Sequence, residues 1–128
     1  MKPQDFDFRL YVVSAKDYVC DEDKYQILAD LKAKSEFMER NALKEPQVEV
    51  ELFTGFYDKN GTKIYEGDII AHCVDGGGVE YHSKIEFNQQ RGMFELVCIE
   101  HPVISDFSSP LNPSIEVIGN IHENPELL

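Results

Sequence analysis

From Gln47 onward the apolar residues return at every second position, in short runs broken by glycine- and asparagine-bearing turns. That pattern restricts the fold more than any other feature of the chain. The runs are "QVEVELF", "IIAHCV", "VEYHSKIEF", "MFELVCI" and "IEVIGNI"; the breaks are "DKNG", "DGGG" and "NQQRG". Successive side chains of a strand point to opposite faces, so a period of two marks a sheet with a covered side. Glycine and asparagine fall where a positive φ costs least. Short strands at this spacing predict a small antiparallel β-barrel or sandwich over about residues 47–128, a curled β-barrel where a glycine bend lets the sheet close. Val48, Val50 and Leu52 are expected inside, with Glu49 and Glu51 outside. "HPVISDFSSPLNPS", with its three prolines, reads as a loop.

Upstream the rhythm differs. "FDFRLYVV" alternates Phe6, Phe8, Leu10 and Val12 with Asp5, Asp7, Arg9 and Tyr11, which predicts a strand over 5–13. "SAKDYVC" reads as a short returning strand. The next segment turns helical: Ile27, Leu28, Leu31, Ser35, Met38 and Ala42 project onto one arc, predicting a helix over about 22–43. Asp21, Glu22 and Asp23 suit the positive end of its dipole, Arg40 and Lys44 the negative end, and Pro46 stops it. Phe37 falls off the stripe and Tyr25 lies at its margin. At 128 residues the chain fits one α+β domain, mainly β, over 1–128, large enough to bury a core of its own.

Charge excludes one class of partner. Twenty-four acidic residues against 12 basic ones give −12, a surface that repels phosphate backbones, so direct nucleic-acid binding is not expected. A basic partner, or mimicry of DNA by displayed carboxylates, remains open. For such a decoy Glu22, Asp23, Asp30, Glu36, Glu39, Glu49 and Glu51 would have to line one face. Apolar runs such as "LYVV" fall far short of the roughly 18 residues of a membrane span, and "MKPQDFDF" lacks a signal peptide's apolar core. An intracellular, cytoplasmic location is expected. Cys20, Cys73 and Cys98, an odd set with no Cys-x-x-Cys pair, read as reduced thiols used as small apolar residues. The Asn60-Gly61-Thr62 sequon reads as a hairpin turn.

The densest stretch is "TGFYDKNGTKIYEGDII", residues 54–70. In it Asp58 can accept backbone N–H groups while Asn60 or Gly61 takes the left-handed region, a hairpin signature. Gly67, between Glu66 and Asp68, reads as a bulge or bend at which the sheet turns, a position a Cβ would strain. Near the end, Asn124 reads as an N-cap, Pro125 as the first helical residue and Glu126 as a dipole partner. Together they predict a final helical turn that presses Leu127 and Leu128 onto an apolar surface.

"FTGFYDKNGTKIYEGDII", followed by "VIGNIHENPELL", resembles the YopX-like family of small phage and prophage proteins. Its members carry Thr-Gly-Leu-x-Asp-x-x-Gly-x-x-Ile-Tyr-Glu-Gly-Asp and then Ile-Gly-Asn-x-x-Glu/Asp-Asn-Pro-Glu-Leu. The matching positions include Thr54, Gly55, Asp58, Gly61, Gly67, Asp68, Gly119, Asn120, Asn124 and Pro125; Phe56 stands where the family has leucine. "FRLY" loosely resembles the family's first strand, and the helical segment lies where the family varies. The resemblance implies a core related to SH3-type barrels, a phage or prophage origin and a tendency to self-associate as a homo-oligomer. It implies no activity and no catalytic residues.

The residue types admit several chemistries. Asp58, Glu66, Asp68 and Asp75 could form paired carboxylates of a hydrolase, but the turns account for Asp58 and Asp68, and no base, orienter and electrophile converge. "DKNG" starts like a calcium loop, yet its glycine comes fourth where an EF-hand needs it sixth. His72, Cys73, His82, Cys98 and His101 could meet at zinc, but strand parity separates His72 from Cys73 and puts Cys98 with Phe94 and Leu96 on the core face. "DGGGVE" matches no phosphate loop. No metal and no cofactor are expected. Phe53, Phe56, Tyr57, Tyr65 and Phe94 could form an aromatic platform, with Phe56, Tyr57, Tyr65 and Glu66 the candidate binding residues. The expected role is a non-enzymatic protein–protein interaction or assembly module.

Overall fold

The protein is described here from a computed structural model covering residues 2–40, 47–73, 78–101, 104–106 and 115–128, with backbone alone at 37–40, 73, 105 and 106. The helix-ending residues Ala42, Lys44 and Pro46, the side chains of Phe37, Met38, Glu39, Arg40 and Cys73, and Val74 and Asp75 with most of "DGGG" lie outside the described residues. The fold is α+β and mainly β, with one helix and antiparallel sheets, the larger curled as a half-barrel. Its contacts divide into two compact units, Asp7–Glu51 and Met1–Phe6 with Leu52–Leu128.

In the unit Asp7–Glu51, β1 (Phe8–Val12) pairs antiparallel with β2 (Asp17–Tyr18), and the first part of β3 (Val48–Tyr57) lies on the other side of β1. The first strand is shorter than the alternation predicts. Pro3 opens a 3-10 turn over Pro3–Asp5, in which the Asp5 N–H donates to the Lys2 carbonyl at 2.9 Å, and Phe6 beyond it is exposed. Tyr11, expected outside, is buried because it faces Tyr18 across the ladder with ring centroids 5.1 Å apart. β3 also inverts expectation: Val50 is exposed and Glu51 buried. The Glu51 carboxylate accepts from Arg9 Nε and, at 3.1 Å, from the Tyr18 hydroxyl, while the Arg9 guanidinium lies 4.9 Å over the Tyr18 ring. A carboxylate satisfied in this way can leave water.

The helix α1 (Lys24–Arg40) buries the predicted stripe only halfway at Ile27, Leu28, Leu31 and Ser35, and Tyr25 is 54% exposed. The deepest residue is Lys24, 4% exposed, one turn before Ile27 and Leu28 on the same face. Its ammonium donates to the Phe8 carbonyl at 2.8 Å, pairs with Asp7 at 2.5 Å and Asp21 at 3.2 Å, and lies 5.1 Å over the Phe8 ring. Burial works to lower the Lys24 pKa, but the bonds to Asp7 and Asp21 more than reverse it, so the net shift is upward. The Phe8 ring meets Tyr25 edge-on at 5.1 Å.

In the other unit, β3 from Leu52 pairs antiparallel with β4 (Lys63–Tyr65). The five-stranded sheet adds β5 (Asp68–Cys73), β6 (Glu80–Asn88), β7 (Met93–Cys98), β8 (Ile104–Asp106) and β9 (Glu116–Asn120) in the order β8-β7-β6-β5-β9, all neighbours antiparallel. β8 lies inside the segment read as a loop; its three residues pair with β7, Val97 opposite Ile104. Proline-free between Pro102 and Pro110, this piece keeps the N–H groups a ladder needs; residues 102–103 and 107–114 of the segment are outside the described residues. Ile64, Ile70, Ile85 and Leu96 make the core, with Phe94, Ile115 and Val117 packed against it. β5 is covered on both faces, since Ile69, Ile70 and Ala71 are all buried. The "NQQRG" turn forms as expected: Asn88 Oδ1 accepts from the N–H groups of Gln90 and Arg91 at 3.0 and 3.1 Å.

Candidate functional site

The two sequence motifs are one construction. Asp58 Oδ1 accepts the N–H groups of Asn60 and Thr62 at 2.8 and 2.9 Å, closing the "DKNG" turn, and its Oδ2 accepts the Val117 N–H of β9 at 3.0 Å. The Lys59 N–H adds a bond to the Ile115 carbonyl at 2.9 Å. Partial burial pushes the Asp58 carboxyl up, but the bonds from Val117, Thr62 and Asn60 outweigh it and hold it below the usual carboxylate value.

The second junction is at Gly67, whose φ of +84° is the expected left-handed bend between β4 and β5. Its N–H donates to the Ile85 carbonyl at 2.8 Å and its carbonyl accepts from Ile121 at 2.9 Å. Asp68, 2% exposed, accepts the Tyr65 N–H at 2.8 Å and stands opposite Asn120 in the β5–β9 ladder. Thr54 Oγ1 donates to the Ile64 carbonyl at 2.7 Å and accepts from the Phe56 N–H at 3.2 Å. Gly61, at φ +78°, closes the hairpin turn. Asp58 and Asp68 are thus spent on backbone donors, Glu66 is half-buried, and Asp75 is outside the described residues.

Asn120 organises the terminal motif. Its Oδ1 accepts from His122 and Glu123 at 3.0 and 2.9 Å, and its own N–H donates to Asn124 Oδ1 at 3.1 Å. Asn124 was expected to cap the turn after it; a 3-10 turn does form over Pro125–Leu127, but the Asn124 side-chain oxygen Oδ1 reaches backward to the Asn120 N–H. The reason is Gly119. A Cβ there would lie 2.6 Å from Asn124 Cγ and 2.9 Å from Asn124 Cβ, so only glycine leaves a seat for that side chain. Leu127 is half-buried, but Leu128 is 55% exposed and is not pressed onto this chain. Gly119→Ala is expected to cost about 2 kcal/mol by overpacking. Asn124→Gly in the alanine background should recover part of the lost urea midpoint; no recovery would place the strain elsewhere.

The aromatic candidates gather on the β3–β4 hairpin. Gly55, at φ +88°, makes a bulge: Phe53 faces Tyr65 and Tyr57 faces Lys63, so β3 spends more residues than β4 over the same distance. The bulge brings Phe53 and Tyr57 to one side, ring centroids 5.5 Å apart, with Tyr65 at 5.7 Å from Phe53. Tyr57 is 57% exposed and Phe56 45%. Lys63, which sequence reasoning missed, holds its ammonium 5.1 Å over the Phe53 ring; a lysine opposite an aromatic in a hairpin is the signal that could have found it. Phe94 leaves the platform, packing on the core and against Phe87 at 5.1 Å.

The histidines and thiols take other roles. His72 Nε2 lies 2.8 Å from Ser83 Oγ, and burial is the main cause that pulls the His72 pKa down. This pair resembles a nucleophile and base, but Ser83 is 1% exposed and closed to substrate. Cys98 is half-exposed rather than buried, because its thiol, 3.4 Å from Glu100, points toward the carboxylate that also accepts from the His82 N–H. No three of the described His72, His82, Cys98 and His101 bring donor atoms within 4.8 Å of one another. Of the seven carboxylates that a DNA-mimicking face would need, Glu51 is buried with Arg9, Glu22, Asp23, Asp30, Glu36 and Glu49 are exposed, and the Glu39 side chain is outside the described residues. No helix among the described residues is long and apolar enough to cross a membrane.

The family model described as YopX protein matches residues 7–128. The crystal structure of protein EF1440 from Enterococcus faecalis is similar at 32% sequence identity and a TM-score of 0.48, over 66% of this chain and 58% of that one. Comparison with curated proteins finds no match.

Proposed function

Because the chain belongs to the YopX family, we propose that it is a non-enzymatic protein–protein interaction module of a phage or prophage, presenting the aromatic surface of the β3–β4 hairpin to a protein partner in the bacterial cytoplasm. One observation carries the reading: the motif spends its polar residues on the fold yet leaves Tyr57 exposed beside Phe53, and Phe56 exposed next to it in the chain. Asp58, Asp68, Asn120 and Asn124 bond to backbone within their own unit. An aromatic used only as core would be covered, and exposed tyrosines are common anchors of interfaces because they bring large area at low entropic cost.

The test is native capture from a lysogenic host by wild-type protein and by Tyr57→Ser with Phe56→Ser. The double variant is expected to keep the wild-type melting midpoint and lose the captured partner. Capture that survives with the surface altered would refute the assignment to this hairpin.

A further inference from the structure

We infer that Asp58 and Asn124 guard the outer edge of β9, holding with their side chains the backbone N–H groups through which another copy of this chain would otherwise add a strand to the sheet. This role stands apart from the partner of the β3–β4 hairpin.

β9 ends the order β8-β7-β6-β5-β9, so one of its edges lies against β5 and the other has no strand beside it among the described residues. Such an edge is a template for a further chain. The register identifies the groups concerned. Ala71 stands opposite Glu116 and Ile69 opposite Gly119, with a register shift between them, and the Ile121 N–H turns inward to the Gly67 carbonyl at 2.9 Å. By alternation, Ile115, Val117 and Asn120 present their backbone outward.

Groups from two turns meet them there. The Val117 N–H donates to Asp58 Oδ2 at 3.0 Å, and the Ile115 carbonyl accepts from the Lys59 N–H at 2.9 Å. The Asn120 N–H donates to Asn124 Oδ1 at 3.1 Å, and the Asn120 carbonyl accepts from the Asn124 N–H at 3.0 Å. Neither side chain is needed in this position by its own turn. Asp58 Oδ1 alone closes the hairpin turn through Asn60 and Thr62, which leaves Oδ2 for β9, and Asn124 faces back to β9 instead of capping the 3-10 turn that follows it. Gly119 keeps the second guard in place, since a Cβ there would take the space of the Asn124 side chain. At the opposite end of the sheet β8 is a poor template for another reason, its length of three residues.

The experiment follows the mass of the full chain by light scattering as its concentration rises. Asp58→Ala with Asn124→Ala is compared with Ile85→Ala, which weakens the core of the same unit and leaves the edge sealed, at conditions of equal fraction unfolded. The guard variant is expected to exceed the wild-type mass at about tenfold lower concentration than Ile85→Ala, since two freed donors then find partners in a new ladder. In the associated form the amides of Val117 and Asn120, fast to exchange in the dilute variant, should be protected again. Should the double variant fail to fold, Asn124→Ala against Asn124→Asp decides: the aspartate keeps an acceptor for the Asn120 N–H and should hold the wild-type mass, whereas the alanine should not. Equal association of Ile85→Ala at the same fraction unfolded would overturn the inference in favour of general destabilisation. Association that leaves the Val117 and Asn120 amides fast, or Asn124→Ala and Asn124→Asp of the same mass at every concentration, would overturn it as well.

Discussion

Asp58→Ala is expected to lower the unfolding free energy by about 3 kcal/mol, since it strips acceptors from three backbone N–H groups and charge-assisted bonds are the stronger class. The loss should exceed that of an ordinary turn substitution, because one of the three donors belongs to β9. Asp58→Asn retains a neutral acceptor and should cost less. The pH dependence has a definite sign. The folded carboxyl is held below its ordinary value, so its contribution is complete above the unfolded pKa, near 4, and is lost as pH falls through the lower folded value. Urea melts of wild type and Asp58→Asn from neutral to strongly acidic pH should therefore converge on acidification. A constant gap across that range would mean that the carboxylate charge contributes nothing.

The second large effect is expected at Lys24. Lys24→Ala removes the ammonium that Asp7 and the Phe8 carbonyl share inside the Asp7–Glu51 unit, and breaking one side of a buried pair costs about 3 kcal/mol. Lys24→Met with Asp7→Asn keeps the stem's volume and removes both charges, so it should recover much of that loss. A double-mutant cycle in denaturant separates the pair from the packing. The folded pKa of Lys24 is raised, so its contribution is full below the unfolded lysine value and disappears only as pH rises through the folded one. An unchanged midpoint for Lys24→Ala would show that the start of α1 is not anchored there.

What could be read in advance followed local geometry. The "DKNG" turn, the bend at Gly67 and the half-buried stripe of α1 depend on residues close in sequence, and each appears where the period or the turn chemistry places it. The misplacements share another cause. Glu51 and Lys24 look like solvated charges until Arg9, Tyr18 and Asp7 are brought to them from elsewhere in the chain, and Asn124 looks like a forward cap until Gly119 opens space behind it. β8 was missed because three residues are too few to show a period. Of the candidate site, the aromatic residues were legible as a group, but their common side was not. It depends on the bulge at Gly55, which shifts the register between Phe53 and Tyr57.

The bond between Asp58 and Val117 also sets an order on translation. Val117 follows Asp58 by 59 residues, so the hairpin leaves the ribosome long before the strand that completes it. β5, β6 and β7 can pair meanwhile, but the β5 edge that β9 will occupy stays open, a template for any other extended chain nearby. For a protein made quickly and in quantity, slow decoding between these positions would lengthen that exposure and raise the fraction lost to aggregation. Expression level and codon choice over residues 71–115 should therefore govern soluble yield more than the same changes made upstream of Asp58.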